Sequence, residues 1–274
     1  MLASTVVAIT GASAGIGRAV AEQCAAAGAA VVVNARRADR LTEVVAAITS
    51  RGGRAHAVAG DVTSETDMAR LIAASVETFG SLDVLICNAG IGYHGPLDET
   101  PPDVMRRLVD VNLMGTLYAA AAALPVFRRQ QRGHLIAVSS IAGRRGIGGS
   151  SVYGATKAAQ IAMVESLRAE FFGTDIHASV VIPVRTKTEF HDAIARDFGF
   201  SVQGLGPKQT ADEVARRIVA CIESPRPEVY PYGRAWWLSA MSVIAPSIAD
   251  RVVQRFGRRR GPITPVQHHD DPGA

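Results

Sequence analysis

The sequence predicts an α/β fold: one doubly wound, parallel sheet of about seven strands with helices on both faces. Short β-branched runs alternate with longer Ala-rich or amphipathic stretches, as parallel strands joined by crossover helices require. The early strand-like runs are apolar throughout rather than alternating, the pattern of strands covered on both faces. A chain of 274 residues, 48% of them hydrophobic, supplies the core for such a fold.

Taken in order, strands are expected at residues 6–9, 31–33, 55–59, 84–87, 134–139, 178–182 and 228–230. Helices are expected between them at 16–27, 40–50, 65–79, 102–132, 152–172 and 211–224. After Pro225, Pro, Trp and Arg become frequent, so the chain divides into a main domain, residues 1–231, and a helical appendage, residues 232–274. The final stretch of that appendage reads as disordered.

The formal net charge is +4, but Arg251, Arg255, Arg258, Arg259 and Arg260 cluster near the C-terminus; setting them aside leaves 24 basic against 25 acidic side chains. A nucleic-acid binder carries its excess on a folded face, so nucleic acid is not the expected partner. Cys24, Cys87 and Cys221 lack the paired spacing of a disulfide framework or metal site, which points to a reducing compartment and no metal. The N-terminal residues do not form a signal peptide, and no apolar run reaches the roughly 18 residues of a membrane span, so a cytoplasmic protein without a transmembrane anchor is expected.

Directly after the first strand comes Thr10-Gly11-Ala12-Ser13-Ala14-Gly15-Ile16-Gly17, opening into an Ala-rich helix. The glycines allow a tight turn and close approach to a pyrophosphate, and the helix N-terminus offers free amides to the anion. The spacing Gly-x-x-x-Gly-x-Gly departs from the commoner Gly-x-Gly-x-x-Gly. At the end of the second strand, Ala35 stands where an acid would hold the ribose hydroxyls of NAD, and Arg36 offers planar donors to a 2′-phosphate. NADP(H) is therefore the expected cofactor; a merely solvated arginine is the alternative for Arg36 and more so for Arg37. Asp61 and Val62 follow the third strand, and Asn88-Ala89-Gly90 the fourth, at the edge where an open α/β sheet binds its ligand. Asp61 suits the adenine amino group and Asn88 the adenosine side, although either also reads as a cap or turn former.

Tyr153 and Lys157 stand four residues apart, on one face of one helix. A phenol titrates near pH 10, so a neighbouring cation is needed to stabilise its phenolate. Thirteen residues earlier, Ser139-Ser140 ends the fifth strand, and Ser140 is chosen to hydrogen-bond a substrate oxygen while Tyr153 moves its proton. Asn112, a mediocre helix former inside a long expected helix, either breaks that helix locally and holds a water near Lys157, or is a satisfied helix asparagine.

The order of these motifs resembles the short-chain dehydrogenase/reductase family, over about residues 4–188. The resemblance implies a Rossmann-like domain in which Gly11, Gly15 and Gly17 bind the cofactor diphosphate and Asp61 with Asn88-Ala89-Gly90 lines the adenosine. It also implies Asn112, Ser140, Tyr153 and Lys157 as the catalytic tetrad, with Lys157 also on the nicotinamide ribose and Thr188 on the nicotinamide carboxamide. Two departures stand out: Val184 replaces the glycine usual after the sixth strand, and the chain runs some forty residues past the usual end.

The activity so implied is hydride transfer between NADP(H) and a small-molecule carbonyl or secondary alcohol, in a homo-oligomer. Alternatives are a catalytically silent NADP-binding regulatory protein and a sugar-nucleotide epimerase or dehydratase, the latter usually needing a larger C-terminal domain. Residues 189–208 fall where relatives place a substrate lid, with Phe190, Phe198, Phe200 and Leu205 for apolar contact, or form an exposed helix pair. His94 is a loop histidine, near substrate or simply solvated. In the appendage, Trp236, Trp237, Leu238 and Met241 precede Pro246, and Ile248, Val252, Val253 and Phe256 recur at helical spacing among arginines. Such a helix covers the substrate cleft or a neighbouring subunit, the favoured reading, or makes peripheral contact with an anionic membrane.

Overall fold

Alternate residues of each central strand belong to different cores. In β1 (Val6–Thr10), Val7 and Ile9 enter one cluster and Ala8 the other, and both clusters exclude solvent. The computed structural model describes residues 2–198 and 208–256. Phe200 and Leu205 of the expected lid, Arg258, Arg259 and Arg260, and the tail expected to be disordered lie outside the described residues, as do the side chains of Arg255 and Phe256.

The strands are β1, β2 (Ala30–Ala35), β3 (Arg54–Ala59), β4 (Val84–Cys87), β5 (Arg132–Val138), β6 (Asp175–Val181), a short pair β7 (Thr186–Lys187) and β8 (Gln209–Thr210), and β9 (Glu228–Val229). Seven form one sheet in the order β3-β2-β1-β4-β5-β6-β9, every neighbour parallel. The order reverses between β1 and β4, which opens a crevice at their carboxyl ends. Helices α1 (Gly15–Ala26), α2 (Ala38–Thr49) and α9 (Ala211–Glu223) cover one face through Val20, Leu41, Val44, Val214 and Ile218. The other face carries α3 (Glu65–Phe79), α5 (Gly115–Gln130) and α7 (Ser151–Glu170) through Met68, Leu71, Ala123, Phe127, Ile161 and Val164. The expected Rossmann-like fold is thus present, with β3 as an edge strand whose Arg54 and His56 depart from the all-apolar pattern.

The helix expected at 102–132 is three pieces: α4 (Pro102–Val109), a π-helical segment at Asp110–Met114, and α5, which ends at Gln131 in the left-handed region (φ 57°). The interruption falls on Asn112, whose side chain bonds backbone outside the helix and so rewards a widened turn. These 29 residues are long and apolar enough to cross a membrane by length and composition. Here Leu108, Thr116, Ala119, Ala123 and Phe127 bury one face of them within the protein. Short α6 (Ile141–Arg144) and the β7–β8 pair had no counterpart among the expected elements, whereas α8 (Phe190–Phe198) falls in the segment expected as a lid or helix pair and α10 (Ala235–Ile244) and α11 (Pro246–Phe256) fall in the expected helical appendage. These four helices line or flank the crevice.

Candidate active site

One cleft of about 1190 Å³ opens at the carboxyl ends of β1, β4, β5 and β6. At its nucleotide end the main chain dominates. Gly11 and Gly15 adopt positive φ (66° and 56°), which lets the turn double back between β1 and α1. A methyl on Gly17 would stand 2.3 Å from the Gly11 carbonyl oxygen and 2.5 Å from Asn88 Nδ2, so Gly17 packs behind the turn and does not line the cleft. Asn88 fixes the turn from β4, donating to the Thr10 and Gly11 carbonyls at 3.0 and 3.1 Å. The amides of Asn88 and Ala89 both donate to Thr10 Oγ1.

The start of α1 is the natural seat for an anion. Its N-cap, Ala14, offers no side-chain acceptor and its first turn holds no acid, whereas α3 has Ser64 accepting from the Asp67 amide and two acids in its first turn. Ser13, Ile16, Arg36, Asp61, Val62, Ala89 and Gly90 all line the same end. Arg36 is exposed, 4.0 Å from Asp61 Oδ2, and Arg37 donates to Ser13 Oγ at 3.3 Å while facing Glu189 at 3.7 Å. The residues present therefore fit a dinucleotide: a tight glycine turn, an uncapped helix and two arginines just past β2. Arg37 was passed over as a helix-start arginine; its bond to Ser13 joins it to the turn.

The chemical groups stand at the middle of the cleft. Ser140 caps α6, its Oγ accepting from the Ala142 amide at 3.2 Å, which leaves the hydroxyl proton to donate. Both Ser139 and Ser140 border the cleft, but Ser139 is buried and spends its hydroxyl proton on the Lys157 carbonyl at 2.8 Å. Helix α6 crosses α7 backbone to backbone: a methyl on Gly143 would lie 2.7 Å from the carbonyl carbon of Lys157. Tyr153 projects from α7 into the cleft, its ring centroid 6.0 Å from that of Phe190 and 5.9 Å from Lys157 Nζ.

Lys157 is buried, and burial lowers its ammonium to about pH 8, still protonated at neutrality. It donates to the Val138 carbonyl at 2.9 Å and to Gln160 Oε1 at 3.1 Å. Gln160 in turn donates to the Asn112 carbonyl at 2.7 Å and to Thr116 Oγ1 at 2.8 Å, with no solvent exposure of its own. Asn112 turns its amide onto Ile91, accepting from the Ile91 amide at 2.8 Å and donating to its carbonyl at 3.0 Å, and reaches Thr156 Oγ1 at 3.1 Å. The route from Asn112 to Lys157 thus runs through a protein side chain, Gln160. Its signal in the sequence was one helical turn beyond Lys157, a polar residue on the helix face that carries Ile161 and Val164 into the core.

Thr188 folds over the glycine turn, and a methyl on Gly15 would lie 3.2 Å from its Cβ. Val184 reaches this path with its amide on Gln209 Oε1 at 3.4 Å, the side chain of β8 closing the loop. His94 lies outside the cleft lining, its Nδ1 3.3 Å from Ser150 Oγ. The three cysteines are buried and unbridged, and burial pushes the Cys24 and Cys87 thiols up to about 12, which leaves them unreactive.

The model of the short chain dehydrogenase family matches residues 5–198. A Listeria monocytogenes protein named an uncharacterized oxidoreductase is 38% identical over 227 residues, covering 80% of this chain and 91% of that one. Among solved structures, an alcohol dehydrogenase from the archaeon Thermococcus sibiricus, complexed with 5-hydroxy-NADP, superposes with a TM-score of 0.73 at 26% identity, covering 82% of this chain and 95% of that one. A short chain dehydrogenase/reductase from Burkholderia phymatum in complex with NAD gives a TM-score of 0.81 at 22% identity, covering 95% and 98%, a likeness of fold.

Proposed function

This chain belongs to the short chain dehydrogenase family of oxidoreductases, and on that premise we propose that it transfers a hydride between NADP(H) and a carbonyl or secondary alcohol, with Tyr153 as acid and base. The observation that carries the reading is the convergence of Ser140, Tyr153 and Lys157 on one cleft whose other end is a glycine turn with an uncapped helix. When bound, the cofactor supplies or accepts the hydride at its nicotinamide ring.

The chain's own residues do the rest. Ser140 donates to the substrate oxygen and fixes its direction. Tyr153 gives its phenolic proton to that oxygen in reduction and takes it back in oxidation. The buried charge of Lys157 favours the phenolate left behind, and its bonds to Val138 and Gln160 hold that charge in place. Arg36 and Arg37 meet the adenosine phosphate, and Thr188 closes over the turn. The preference for NADP over NAD rests on the missing acid at Ala35 and the arginines that follow it.

The test is oxidation of NADPH by the purified protein with a panel of ketones and aldehydes. Tyr153→Phe is expected to lower kcat by about a hundredfold or more while NADPH binding, read by fluorescence, is retained. Full turnover in that variant would remove Tyr153 from the mechanism.

A further inference from the structure

Beyond Ser140 and Tyr153 the cleft continues into a half whose walls come from the helices that follow β6. Helix α10 packs beside α6, the helix that Ser140 caps. Its partner α11 is anchored there too: Arg145, just past α6, donates to the Pro246 carbonyl at 3.2 Å and pairs with Asp250. Ser239 and Ala249 are buried, so the α10–α11 pair is seated on the body of the protein.

The surface so presented to the cleft carries an apolar stripe, Ile147, Phe190, Ile194, Leu238, Met241 and Val253, bordered by Arg185, Tyr232 and Arg234. Phe190 is wedged between Tyr153 and the Gly92 backbone, where an added methyl would meet its ring at 2.5 Å. Several charges of this half are already matched. Arg107 donates to Asp197 at 3.1 Å, Arg196 faces the same carboxylate at 3.4 Å, and Arg145 is paired with Asp250. Five of the eight exposed large hydrophobics among the described residues belong to this helix pair: Trp237, which also borders the cleft, and Trp236, Val243, Ile244 and Ile248.

The cleft, of about 1190 Å³, does not end at Ser140 and Tyr153: its lining runs on from the glycine turn past them to Leu238, Met241 and Val253. We infer that the substrate is a carbonyl compound, or the matching secondary alcohol, bearing a medium to long apolar chain that lies along Phe190, Leu238, Met241 and Val253. The inference rests on the hydride-transfer reading above and adds to it the substrate class. The carbonyl sits at Ser140 and Tyr153, and the chain points away from the nicotinamide end toward α10 and α11. Burial of each methylene then contributes to catalytic efficiency, because the chain leaves water for an apolar wall.

The experiment is a series of methyl ketones from 2-butanone to 2-dodecanone, each assayed by NADPH consumption with the full chain. The expected result is kcat/KM rising about fourfold per added methylene over the first several members. In Met241→Trp, which fills the far half, the ratio of kcat/KM for 2-dodecanone to that for 2-butanone falls at least tenfold. Leu238→Asp, which places a charge on the same wall, lowers the ratio likewise. Because a ratio is taken within one preparation, partial loss of folded protein does not disturb it. A flat or falling profile in the parent protein, or an unmoved ratio in both variants, overturns the inference while leaving hydride transfer standing. Failure to oxidise NADPH with any carbonyl and to reduce NADP with any alcohol overturns the reading of the previous section, and this inference with it.

Discussion

The nucleotide end of the cleft and the far end, where we place the substrate, are made of different material. At the first, the contacts are main chain: two glycines at positive φ, a third too crowded for a methyl, and the free amides opening α1. At the second, they are side chains carried by α6, α8, α10 and α11, elements hung on the sheet after its central strands are complete. A backbone site tolerates almost no substitution but recognises one kind of ligand. A side-chain wall can be exchanged residue by residue, and what it recognises changes with it.

That contrast can be broken at its sharpest point with Gly17→Ala. A methyl directed at the Gly11 carbonyl and Asn88 should cost about 1–3 kcal/mol, lowering Tm. NADPH affinity should fall roughly tenfold or more, since the whole turn must shift. Retained Tm and NADPH affinity, measured by thermal denaturation and fluorescence titration, would show that the turn has slack and is not set by its backbone.

Arg36→Ala probes the part of the nucleotide end that relies on charged side chains, Arg36 with Arg37 beside it. NADPH should bind about tenfold more weakly, the worth of a charge-assisted bond to phosphate, with NADH changed by less than about threefold. Equal losses for both cofactors would make Arg36 an ordinary surface residue.

The smallest effect is expected at the seam, in Gln160→Leu. Gln160 accepts from the Lys157 ammonium and so favours its charged form; without that bond the ammonium, already lowered to about 8 by burial, drops further. The alkaline limb of kcat, where Lys157 loses its proton, should move to lower pH by roughly half a unit to one unit. An unmoved limb would reduce Gln160 to a packing residue.

The same contrast explains what the sequence made legible. Strands such as Val31-Val32-Val33 announce themselves because both faces are buried, and the glycine turn does so because backbone geometry demands one residue type at fixed spacing. That Ser140, Tyr153 and Lys157 would share one cleft was legible for a like reason: strand end and helix face dictate their spacing. Gln160 was not found, because a buried polar residue looks like a surface one until its partners, Asn112 on the π-helical segment and Thr116 on α5, are placed. Helices α10 and α11 were half legible. Their apolar spacing was plain, but which surface it covers depends on Arg145 and Asp250, 105 residues apart in the chain.

The backbone contact between α6 and α7 at Gly143 has one more consequence. Ser140 and Tyr153 ride on two helices that touch without intervening side chains, and Ser139 ties the pair at the Lys157 carbonyl. The two hydroxyls therefore behave as a single jaw of fixed gape. Redesign of the facing jaw, by swapping side chains on α8, α10 and α11, can retarget such an enzyme to new molecules without retuning its bite.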